Sequence, residues 1–333
     1  MRASAQLSAI NRWSMMDEQH HELLAQAASL YYEHEKNQNE IARQLGVSRV
    51  KVYRLLKEAR QEGVVEFTVN WPLERDTELE KNLARIFGLR EALVLRSSFQ
   101  SDTTLLRRLG QMAARYLEMI LEDGMTLTVC LGRSTYEVIN AVRPSFRKQV
   151  NVAQAMGSLP FSTQELDNAA LARQLAIKLG GKVLYLPSPL MASSPEAAIV
   201  LRSQPVIERT LEASRCADVA LLGIGSLKPG SSRYVQPDII PAENLAELVD
   251  QGAVGDIAGQ FFNLSGELHA CLYNECTIGL SLEELRRIPT KLAVAQGREK
   301  VKAILGALRA GVIDVICTDS WTTSEVLRMN AGT

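Results

Sequence analysis

Apolar positions between residues 37 and 60 describe two short helices joined by a tight turn. Each helix has an apolar face at helical spacing, formed by Ile41, Ala42 and Leu45 in the first and by Val52, Leu55 and Leu56 in the second. Gly46 stands where the first helix would end in a left-handed backbone, and Val47 fills the turn. Ser48 is a favourable N-cap for the second helix. This spacing predicts a helix-turn-helix, preceded by an amphipathic helix that contains Leu23, Leu24, Ala27 and Leu30.

The pattern changes after residue 90 to short apolar runs separated by helical stretches. Runs rich in Val, Leu and Ile lie at 92–95, 126–131, 150–155, 182–186, 219–224, 291–295 and 312–317. Helical patterns between them cover residues 105–121, 168–179, 242–251 and 300–310. Apolar strands with intervening helices predict a Rossmann-like α/β domain, built on a mostly parallel sheet with helices on both faces. We therefore expect an α/β protein with an all-α segment at its N-terminus.

Positive charge is concentrated on the predicted helix-turn-helix. Residues 43–60 contain six Arg or Lys and one acid, Glu58, although the formal charge of the whole chain is −1. Such a local excess is typical of a surface that contacts nucleic-acid phosphates. The alternative is an amphipathic helical hairpin with a solvated basic face. The small residue at 42, the glycine at 46 and the apolar residue at 47 all fall in the register of a helix-turn-helix, which favours DNA binding.

The exposed face of the second helix predicts which side chains contact DNA. Residues near the N-terminus of such a helix face base edges in the major groove. We expect base contacts from Arg49, Val50, Tyr53 and Arg54. Arginine can bind guanine bidentately, and valine can contact a thymine methyl group. Ser48 and Lys51 are expected to hold phosphates, which position the protein without specifying sequence.

Composition describes an ordinary globular protein without a membrane or secretion segment. Apolar residues make up 46% of the chain and charged residues 23%, and no apolar run reaches membrane-spanning length. The first 19 residues lack the apolar core of a secretory signal and are expected to form a frayed arm. The five scattered cysteines predict reduced thiols in a cytoplasmic protein. Cys271 and Cys276 lack a second ligand pair, and the four histidines form no constellation, so we expect neither a metal site nor a cofactor.

Loops that follow predicted strands are where a ligand is expected, because ligands bind beyond the carboxyl ends of strands in such sheets. One loop consists of Gly132, Arg133, Ser134 and Thr135. It precedes a helix whose N-terminus offers N–H groups and a positive dipole end to an anion. A simple capped helix is equally compatible with this motif. Another loop contains Gly223, Gly225 and Ser226, where the glycines permit either close approach of a ligand or a tight turn.

Charged positions farther along the chain could complete such a site. Asp256 stands among small apolar residues, where its carboxylate could accept hydrogen bonds from the hydroxyl groups of a sugar or cap a helix. Lys300 and Lys302 open a helix after Gly297, and lysine is unfavourable at that end of a helix unless an anion lies nearby. Solvated lysines are the alternative. The last strand ends in Thr318-Asp319-Ser320, which is expected to cap the closing helix.

Taken together, these motifs resemble the SorC-type family of bacterial sugar-responsive transcriptional regulators over about residues 24–327. The resemblance rests on the helix-turn-helix, GRST at 132–135, NAALARQLA at 168–176, DVALLGIGSL at 218–227, GAVGDIAGQFFN at 252–263 and IPTKLAVAQGREKVKAILGAL at 288–308. It implies an effector domain with the fold of sugar-phosphate isomerases and deaminases. It also implies a homotetramer that binds operator DNA with an affinity that changes when a phosphorylated sugar binds.

The resemblance assigns roles to individual positions. The loop Gly132–Thr135 would bind phosphate, Asn168 a hydroxyl, Asp256 sugar hydroxyls, and Lys300 a phosphate or carbonyl oxygen. The chain departs from the family at Gln296-Gly297, where a Gly-Gly pair is usual, so the effector pocket could be reshaped. Residues 154–157 stand where a sugar-contacting loop is expected.

These features predict three parts of the chain. They are a helix-turn-helix DNA-binding domain at 1–70, a linker or oligomerisation helix at 71–90 and a sugar-phosphate-binding effector domain at 91–330. Residues 63–70 alternate like a short strand that could form a wing. Residues 74–87 form a charged amphipathic helix whose apolar stripe (Leu79, Leu83, Ile86) has no obvious partner in its own domain. Since two-fold operators also need paired recognition helices, we expect a homo-oligomer, either a dimer or a tetramer.

The leading functional hypothesis is a DNA-binding regulator, such as a repressor, whose partners are operator DNA and a phosphorylated sugar. The alternative is a sugar-phosphate isomerase or deaminase with a DNA-binding segment, since Asp256 and Lys300 could serve as an acid–base pair. No histidine lies in the candidate loops, and His269 is the only one in that domain. A DNA binder that ignores metabolites would leave the large α/β domain without a purpose. We therefore favour the regulator and expect no catalytic residue.

Overall fold

The structure, a computed structural model, describes most of the chain in ranges separated by short gaps. These ranges are 19–65, 71–97, 102–130, 132–143, 145–146, 148–159, 168–228, 232, 234 and 239–332. The chain divides into two compact units, Met1–Asn70 and Trp71–Thr333. The first 18 residues of the expected arm and residues 66–70 of the expected wing lie outside the described residues. No helix among the described residues is long and apolar enough to cross a membrane.

The first unit contains the three helices that the apolar pattern predicts. Helix α1 covers residues 19–32, α2 covers Gln38–Leu45 and α3 covers Arg49–Gln61. Gly46 ends α2 in the left-handed region at φ 65°, and Ser48 Oγ caps α3 by accepting the N–H of Lys51 at 3.2 Å. The buried core of the unit joins Leu24, Ile41, Val52, Leu55 and Leu56. The predicted helix-turn-helix geometry is therefore confirmed.

Ten strands lie in the described part of the second unit. They are β1 Glu91–Leu95, β2 Thr126–Val129, β3 Asn151–Gln154, β4 Val183–Leu184, β5 Val219–Gly223, β6 Gly225–Ser226, β7 Ala253–Ile257, β8 Gln260–Asn263, β9 Thr290–Val294 and β10 Val315–Asp319. Seven of them form a sheet in the order β1-β10-β9-β5-β2-β3-β4, and every neighbouring pair is parallel. The predicted α/β class and parallel sheet are confirmed, although β4 is much shorter than its apolar run.

Helices cover both faces of the large sheet. They are α4 Thr77–Phe87, α5 Asp102–Ile120, α6 Arg133–Ala141, α7 Asn168–Leu179, α8 Pro195–Arg202, α9 Pro205–Arg215, α10 Ala242–Asp250, α11 Leu272–Cys276, α12 Leu282–Arg286, α13 Val301–Arg309 and α14 Ser320–Ala331. Successive strand residues enter two separate cores, so that Leu93 packs with α5, α6 and α7 whereas Val94 packs with the helices of the opposite face. A sheet without a solvent-exposed face explains why its strands are apolar throughout.

A small antiparallel sheet of β6, β7 and β8 extends from the carboxyl edge of the large one. The sequence pattern did not predict it, because β6 contains only two residues and β7 and β8 are separated by a tight turn. The turn places Ala258 at φ 54° and Gly259 at φ 81°. Since β5 ends at Gly223 and β6 begins at Gly225, the chain passes from one sheet directly into the other.

Helix α4 packs against its own domain, so the expectation that its apolar stripe lacks a partner there is wrong. Leu83 is buried in the core with Val94, and Leu79 packs at the margin of that core. The carboxylate of Glu80 accepts the N–H of Val94 at 2.9 Å and pairs with Arg75 at 2.6 Å. Strand β1 lies at the edge of the sheet, and its outer backbone groups bond to Glu80 of α4 and to the segment 74–76 that precedes this helix. Ile86, the remaining residue of the stripe, is 43% exposed, so the domain covers only part of the stripe.

Helices α5 and α6 approach each other closely because a glycine lies at their contact. A Cβ atom built at Gly110 of α5 would lie 2.6 Å from the carbonyl carbon of Glu137 in α6. Real Cβ atoms do not come so close to a backbone atom, and the backbone of a packed helix cannot move aside cheaply. Only glycine permits this contact, which joins the two helices into a closely packed pair.

We expect Gly110→Ala to destabilise the second unit, because the added methyl group would force α5 away from α6. Overpacking of this kind costs about 1–3 kcal/mol of the free energy of unfolding. Urea unfolding followed by circular dichroism would measure the loss. Arg115→Ala, at an exposed position of the same helix, is the control and should change the free energy by less than about 0.5 kcal/mol. Equal stability of Gly110→Ala and the unaltered chain would contradict the close contact.

Candidate functional site

A cavity of about 960 Å³ lies at the carboxyl ends of the parallel strands. Its walls come from the segments that follow β1, β2, β5, β9 and β10, together with the small sheet. The chain leaves β2 toward β3 and leaves β5 toward β9, which lie on opposite sides of the β2–β5 pair. A crevice at such a reversal of strand order is the usual ligand site of an open α/β sheet. The cavity is therefore the candidate site of the second unit.

The loop 132–135 forms the cavity wall at the end of β2. The N–H of Gly132 donates to Thr135 Oγ1 at 2.8 Å, and the Thr135 hydroxyl donates to the Gly132 carbonyl at 3.0 Å. Thr135 is fully buried and shapes the loop, whereas Gly132, Arg133 and Ser134 line the cavity. The N-terminus of α6, which carries the positive end of the helix dipole, therefore opens at the cavity.

A short 3-10 helix, Arg298–Lys300, forms the wall at the end of β9. Gly297 precedes it at φ 106°, a backbone conformation that other residues rarely adopt. The Lys300 Nζ donates to the Ile224 carbonyl at 2.7 Å. This bond holds the ammonium group beside the segment that follows β5. Two predicted ligand loops, distant in sequence, thus meet at one wall.

Asp256 lies on β7 and contributes a buried carboxylate to the cavity. Its Oδ2 accepts the Tyr234 hydroxyl at 2.6 Å and the N–H of Gly259 at 3.2 Å. The helix-cap alternative is wrong, because the residue is inside a strand that continues into a hairpin. Gly225 pairs with Asp256 across β6 and β7, and a Cβ atom at 225 would lie 1.7 Å from Asp256 Oδ1. The glycine therefore leaves room for the carboxylate.

Trp321 and Arg298 form the end of the cavity over β10. The guanidinium carbon of Arg298 lies 4.9 Å from the centre of the Trp321 ring, which is a cation–π contact. Asp319 at the end of β10 accepts the N–H of Thr322 at 3.0 Å, so the predicted cap of α14 is confirmed. The sequence reasoning missed Trp321 and Arg298. An aromatic residue directly after the Thr-Asp-Ser segment was the available signal.

The charges around the cavity include both signs. Arg133, Arg298 and Lys300 bring positive charge to its walls, whereas Asp256 and Asp319 bring buried carboxylates. Cationic side chains and a helix N-terminus stabilise an anionic group, and carboxylates accept hydrogen bonds from hydroxyl groups. The arrangement can therefore bind a polar ligand that combines an anionic group with hydroxyls.

A further carboxyl group lies behind the loop 132–135. Glu137 is half-buried, one helical turn beyond Arg133. Burial raises the pKa of its carboxyl group, and the positive charges of Arg107 in α5 and Arg133 in α6 act in the opposite direction. The carboxyl group of Glu137 is therefore close enough to both arginines to interact electrostatically with them.

Gln154 and Lys302, which the sequence singled out, are described by the structure and do not line the cavity. Asn168 is the first residue of α7, but its side chain lies outside the described part of the structure. Gln154 Oε1 accepts the N–H of Leu186 at 2.7 Å, and within 154–157 it is Met156 that lines the cavity. Lys302 is exposed on α13 and matches the alternative of a solvated lysine. The predicted effector role of Asn168 stays a prediction.

The residues predicted to contact DNA share one exposed surface of the first unit. These residues are Arg49, Val50, Lys51, Tyr53 and Arg54 of α3. Val50 is 61% exposed and Tyr53 is 58% exposed. Their apolar and aromatic groups interrupt a row of positive charge, a combination typical of a contact surface. Arg60 does not belong to it, because its guanidinium donates to the Tyr32 hydroxyl at 2.6 Å.

His20, Glu58 and Glu62 form a cluster that the sequence analysis missed. His20 Nε2 lies 2.8 Å from Glu58 Oε1, and one potential ligand atom from each of the three residues lies within 4.8 Å of the others. Glu58 lies on α3 and Glu62 follows one turn later, directly after the end of that helix, whereas the histidine is on α1. Only the packing of α1 on α3 brings them together. The expectation that no histidine joins such a constellation is therefore wrong for His20.

Comparisons of the sequence and of the structure with known proteins point to the same family. The Sugar-bind family of sugar-binding domains matches residues 72–328. The transcriptional regulator LsrR of Enterobacter sp. (strain 638) is 32% identical over 314 residues, which cover 92% of this chain and 93% of that protein. The deoxyribonucleoside regulator of Bacillus subtilis (strain 168) is 30% identical over 312 residues, which cover 94% and 99%. The full-length sorbitol operon regulator SorC from Klebsiella pneumoniae has a similar structure, with a TM-score of 0.69 at 27% identity over 92% of this chain and 99% of that one.

We expect Gly225→Ala to displace the Asp256 carboxylate and to lower stability, because the new methyl group would occupy the position of Asp256 Oδ1. Displacing a buried, hydrogen-bonded carboxylate costs about 1–3 kcal/mol. Gly223→Ala is the matched control, since a Cβ atom there meets only the Thr135 methyl group at 3.9 Å. Thermal unfolding should show a lower melting temperature for Gly225→Ala alone. A melting temperature equal to that of Gly223→Ala would disprove the close approach.

Proposed function

Because the chain belongs to the SorC-type family of transcriptional regulators with a sugar-binding domain, we propose that it binds operator DNA through its first unit and a phosphorylated sugar in the cavity of its second. Binding of the sugar phosphate changes the affinity for the operator. The proposal places the protein in the cytoplasm as a homo-oligomer, because two-fold operators need paired recognition helices.

The observation that carries this proposal is the convergence of four separate chain segments on one cavity. Gly132–Ser134, Gly223–Gly225, Asp256 and Lys300 come together at the reversal of strand order. A phosphate group would accept hydrogen bonds from the N-terminus of α6 and from Lys300. Sugar hydroxyls would donate to Asp256. The names of the relatives support a sugar-related ligand, and the mixed charges of the cavity favour a phosphorylated one.

Val50, Tyr53 and the cations of α3 support the DNA-binding half of the proposal. The N-terminal turns of α3 carry Arg49, Val50, Tyr53 and Arg54 with their side chains in solvent, as a helix in the major groove requires. Lys51 and Ser48 lie at the same end of the helix, where they can contact phosphates. Ser48 Oγ also caps α3, so the same residue would orient the helix.

An enzyme of the sugar-phosphate isomerase or deaminase type is the second candidate function. Asp256 and Lys300 both line the cavity and could move protons between adjacent carbons of a sugar. The oxygen Oδ2 of Asp256 is already bonded to Tyr234 and Gly259, and Lys300 is bonded to the Ile224 carbonyl. These bonds fit fixed binding groups better than a mobile acid–base pair. The relatives bear the names of regulators, which favours the first candidate.

We expect Arg49→Ala and Arg54→Ala each to weaken specific operator binding by about 1–3 kcal/mol, through the loss of base contacts. Lys51→Ala should weaken binding to all sequences similarly and reduce its dependence on salt, because a phosphate contact carries no sequence information. Fluorescence anisotropy with a duplex selected from a random library, at several salt concentrations, would measure both effects. Arg43→Ala, an exposed cation of α2, is the control. Wild-type affinity in both Arg49→Ala and Arg54→Ala would refute the assignment of α3 to the major groove.

We expect Lys300→Ala to weaken sugar-phosphate binding by roughly 1.5–3 kcal/mol, the contribution of a charge-assisted hydrogen bond. The probes are ribose 5-phosphate, 2-deoxyribose 5-phosphate, glucose 6-phosphate and fructose 6-phosphate. A ligand that binds the folded state raises the melting temperature, so thermal shifts report binding. Lys302→Ala, two residues away and exposed, is the matched control and should keep the shift.

Two outcomes would contradict this part of the proposal. If none of the four sugar phosphates stabilises the wild type, while the corresponding free sugars do, the phosphate is not recognised. If nuclear magnetic resonance shows that the wild type converts a sugar phosphate into its isomer, the enzyme is the correct function.

A further inference from the structure

Helix α5 forms part of the cavity wall with its first two turns. Asp102, Leu105 and Leu106 line the cavity on the side of β1 and β10. The helix is also joined to α6 through Gly110, and α6 begins at the loop that contains Arg133 and Ser134. A ligand in the cavity would therefore contact α5 directly and would also act on it through α6.

The same helix holds the segment at which the second unit begins. The Arg108 guanidinium donates from Nη2 to the Pro72 carbonyl at 2.7 Å. The N–H of Trp71 donates to Gln111 Oε1 at 3.3 Å. Trp71 is the first residue of the second unit, and the chain before it leads to the helix-turn-helix. Two side chains of α5 thus bond to the backbone of the first two residues of the second unit.

The burial of Arg108 suggests that this contact serves more than stability. Arg108 is only 6% exposed, although its Nε has no hydrogen-bond partner among the described residues. A buried guanidinium with an unsatisfied donor is costly, and an apolar side chain would fill the same space at lower cost. An unsatisfied buried donor of this kind calls for a specific explanation, and the hydrogen bond that the same guanidinium makes is the first candidate. Here that bond ends on the Pro72 carbonyl.

The distance between the two ends of this contact is short. Leu105 at the cavity and Arg108 at Pro72 are separated by one turn of α5, or roughly 5 Å along the helix axis. One turn of a packed helix moves as a rigid element, so a displacement of the backbone at Leu105 also displaces Arg108.

We propose that α5 transmits occupancy of the cavity to the segment that leads to the DNA-binding unit, and that Arg108 and Gln111 are the residues that transmit it. The inference rests on the proposed function, because it concerns how a sugar phosphate in the cavity changes operator affinity. Arg108 and Gln111 are positioning residues that touch neither the ligand nor DNA. Loss of these side chains removes the coupling between sugar-phosphate binding and operator binding, and leaves each binding affinity unchanged.

The test measures how strongly ligand and operator binding are coupled. Operator affinity is measured with and without the one of the four sugar phosphates that most raises the melting temperature of the wild type. A typical coupling changes affinity by a factor of about 5–150, and DNA must change the sugar-phosphate affinity by the same factor. Gln111→Ala and Arg108→Lys should bring both factors below about two, while sugar-phosphate affinity without DNA stays close to wild type.

Two further variants separate transmission from simple stability. Gln111→Glu keeps an acceptor oxygen for the N–H of Trp71 and should retain the coupling of the wild type. Arg115→Ala removes an exposed arginine of the same helix and should retain it as well. If Arg108→Lys does not fold, Gln111→Ala alone tests the inference. The half-buried side chain of Gln111 can be shortened without leaving a charge in the core.

Each outcome has a definite meaning. Coupling that falls in Gln111→Ala and is kept in Gln111→Glu supports the inference. Full coupling in Gln111→Ala, or a lower melting temperature with unchanged coupling, overturns it and leaves the proposed function in place. A wild type whose operator affinity does not respond to any of the four sugar phosphates overturns both.

Discussion

The parallel direction of the seven strands in the large sheet is the constraint on which the second unit depends. Parallel strands end at the same edge, so the loops that follow them meet there whatever their separation in sequence. The chain leaves β2 and β5 toward opposite sides, which opens a crevice between their loops. Helix α6 begins at this crevice, and the segment with Lys300 reaches it from β9. The candidate site is thus a consequence of strand direction and strand order.

Glycines at a few close contacts allow these elements to approach one another. Gly110 brings α5 against α6, and Gly225 leaves space for the carboxylate of Asp256. Gly297 adopts a left-handed backbone at the end of β9, which turns the chain into the 3-10 helix before Lys300. A side chain at any of these positions would move a wall of the cavity or strain its backbone. The shape of the site therefore depends on the absence of side chains as much as on their presence.

The two units divide the work of a regulator between different kinds of structure. The first unit is a small helical core in which α3 keeps Arg49, Lys51 and Arg54 exposed to solvent, as the proposed contact with DNA requires. The second unit has two apolar cores, one on each face of the large sheet, and its candidate site lies at the carboxyl edge of that sheet. The chain enters the second unit at Trp71, and Arg108 and Gln111 of α5 bond to the backbone of its first two residues.

Features that depend on neighbouring residues in the chain could be predicted from the amino-acid sequence alone. The apolar spacing, Gly46 and Ser48 define the helix-turn-helix, and Asp319 caps α14 through a residue three positions away. Apolar runs identify the main strands for the same reason, since each run is read from adjacent residues. The loop 132–135 and Lys300 were identified as parts of a site because each follows a strand, although Thr135 is turned away from the cavity.

Contacts between residues that are distant in sequence became visible only in the folded structure. Tyr234 and Gly225 surround Asp256, Arg298 lies over Trp321, and His20 meets Glu58, in each case through the packing of separate elements. The partner of α4 was also decided in this way, because β1 becomes an edge strand only when the order of the sheet is known. Local sequence patterns reflect interactions between residues that are close in sequence. Strand order and helix packing depend on interactions along the whole chain. The residues of the candidate site can be named from the sequence, but their neighbours cannot.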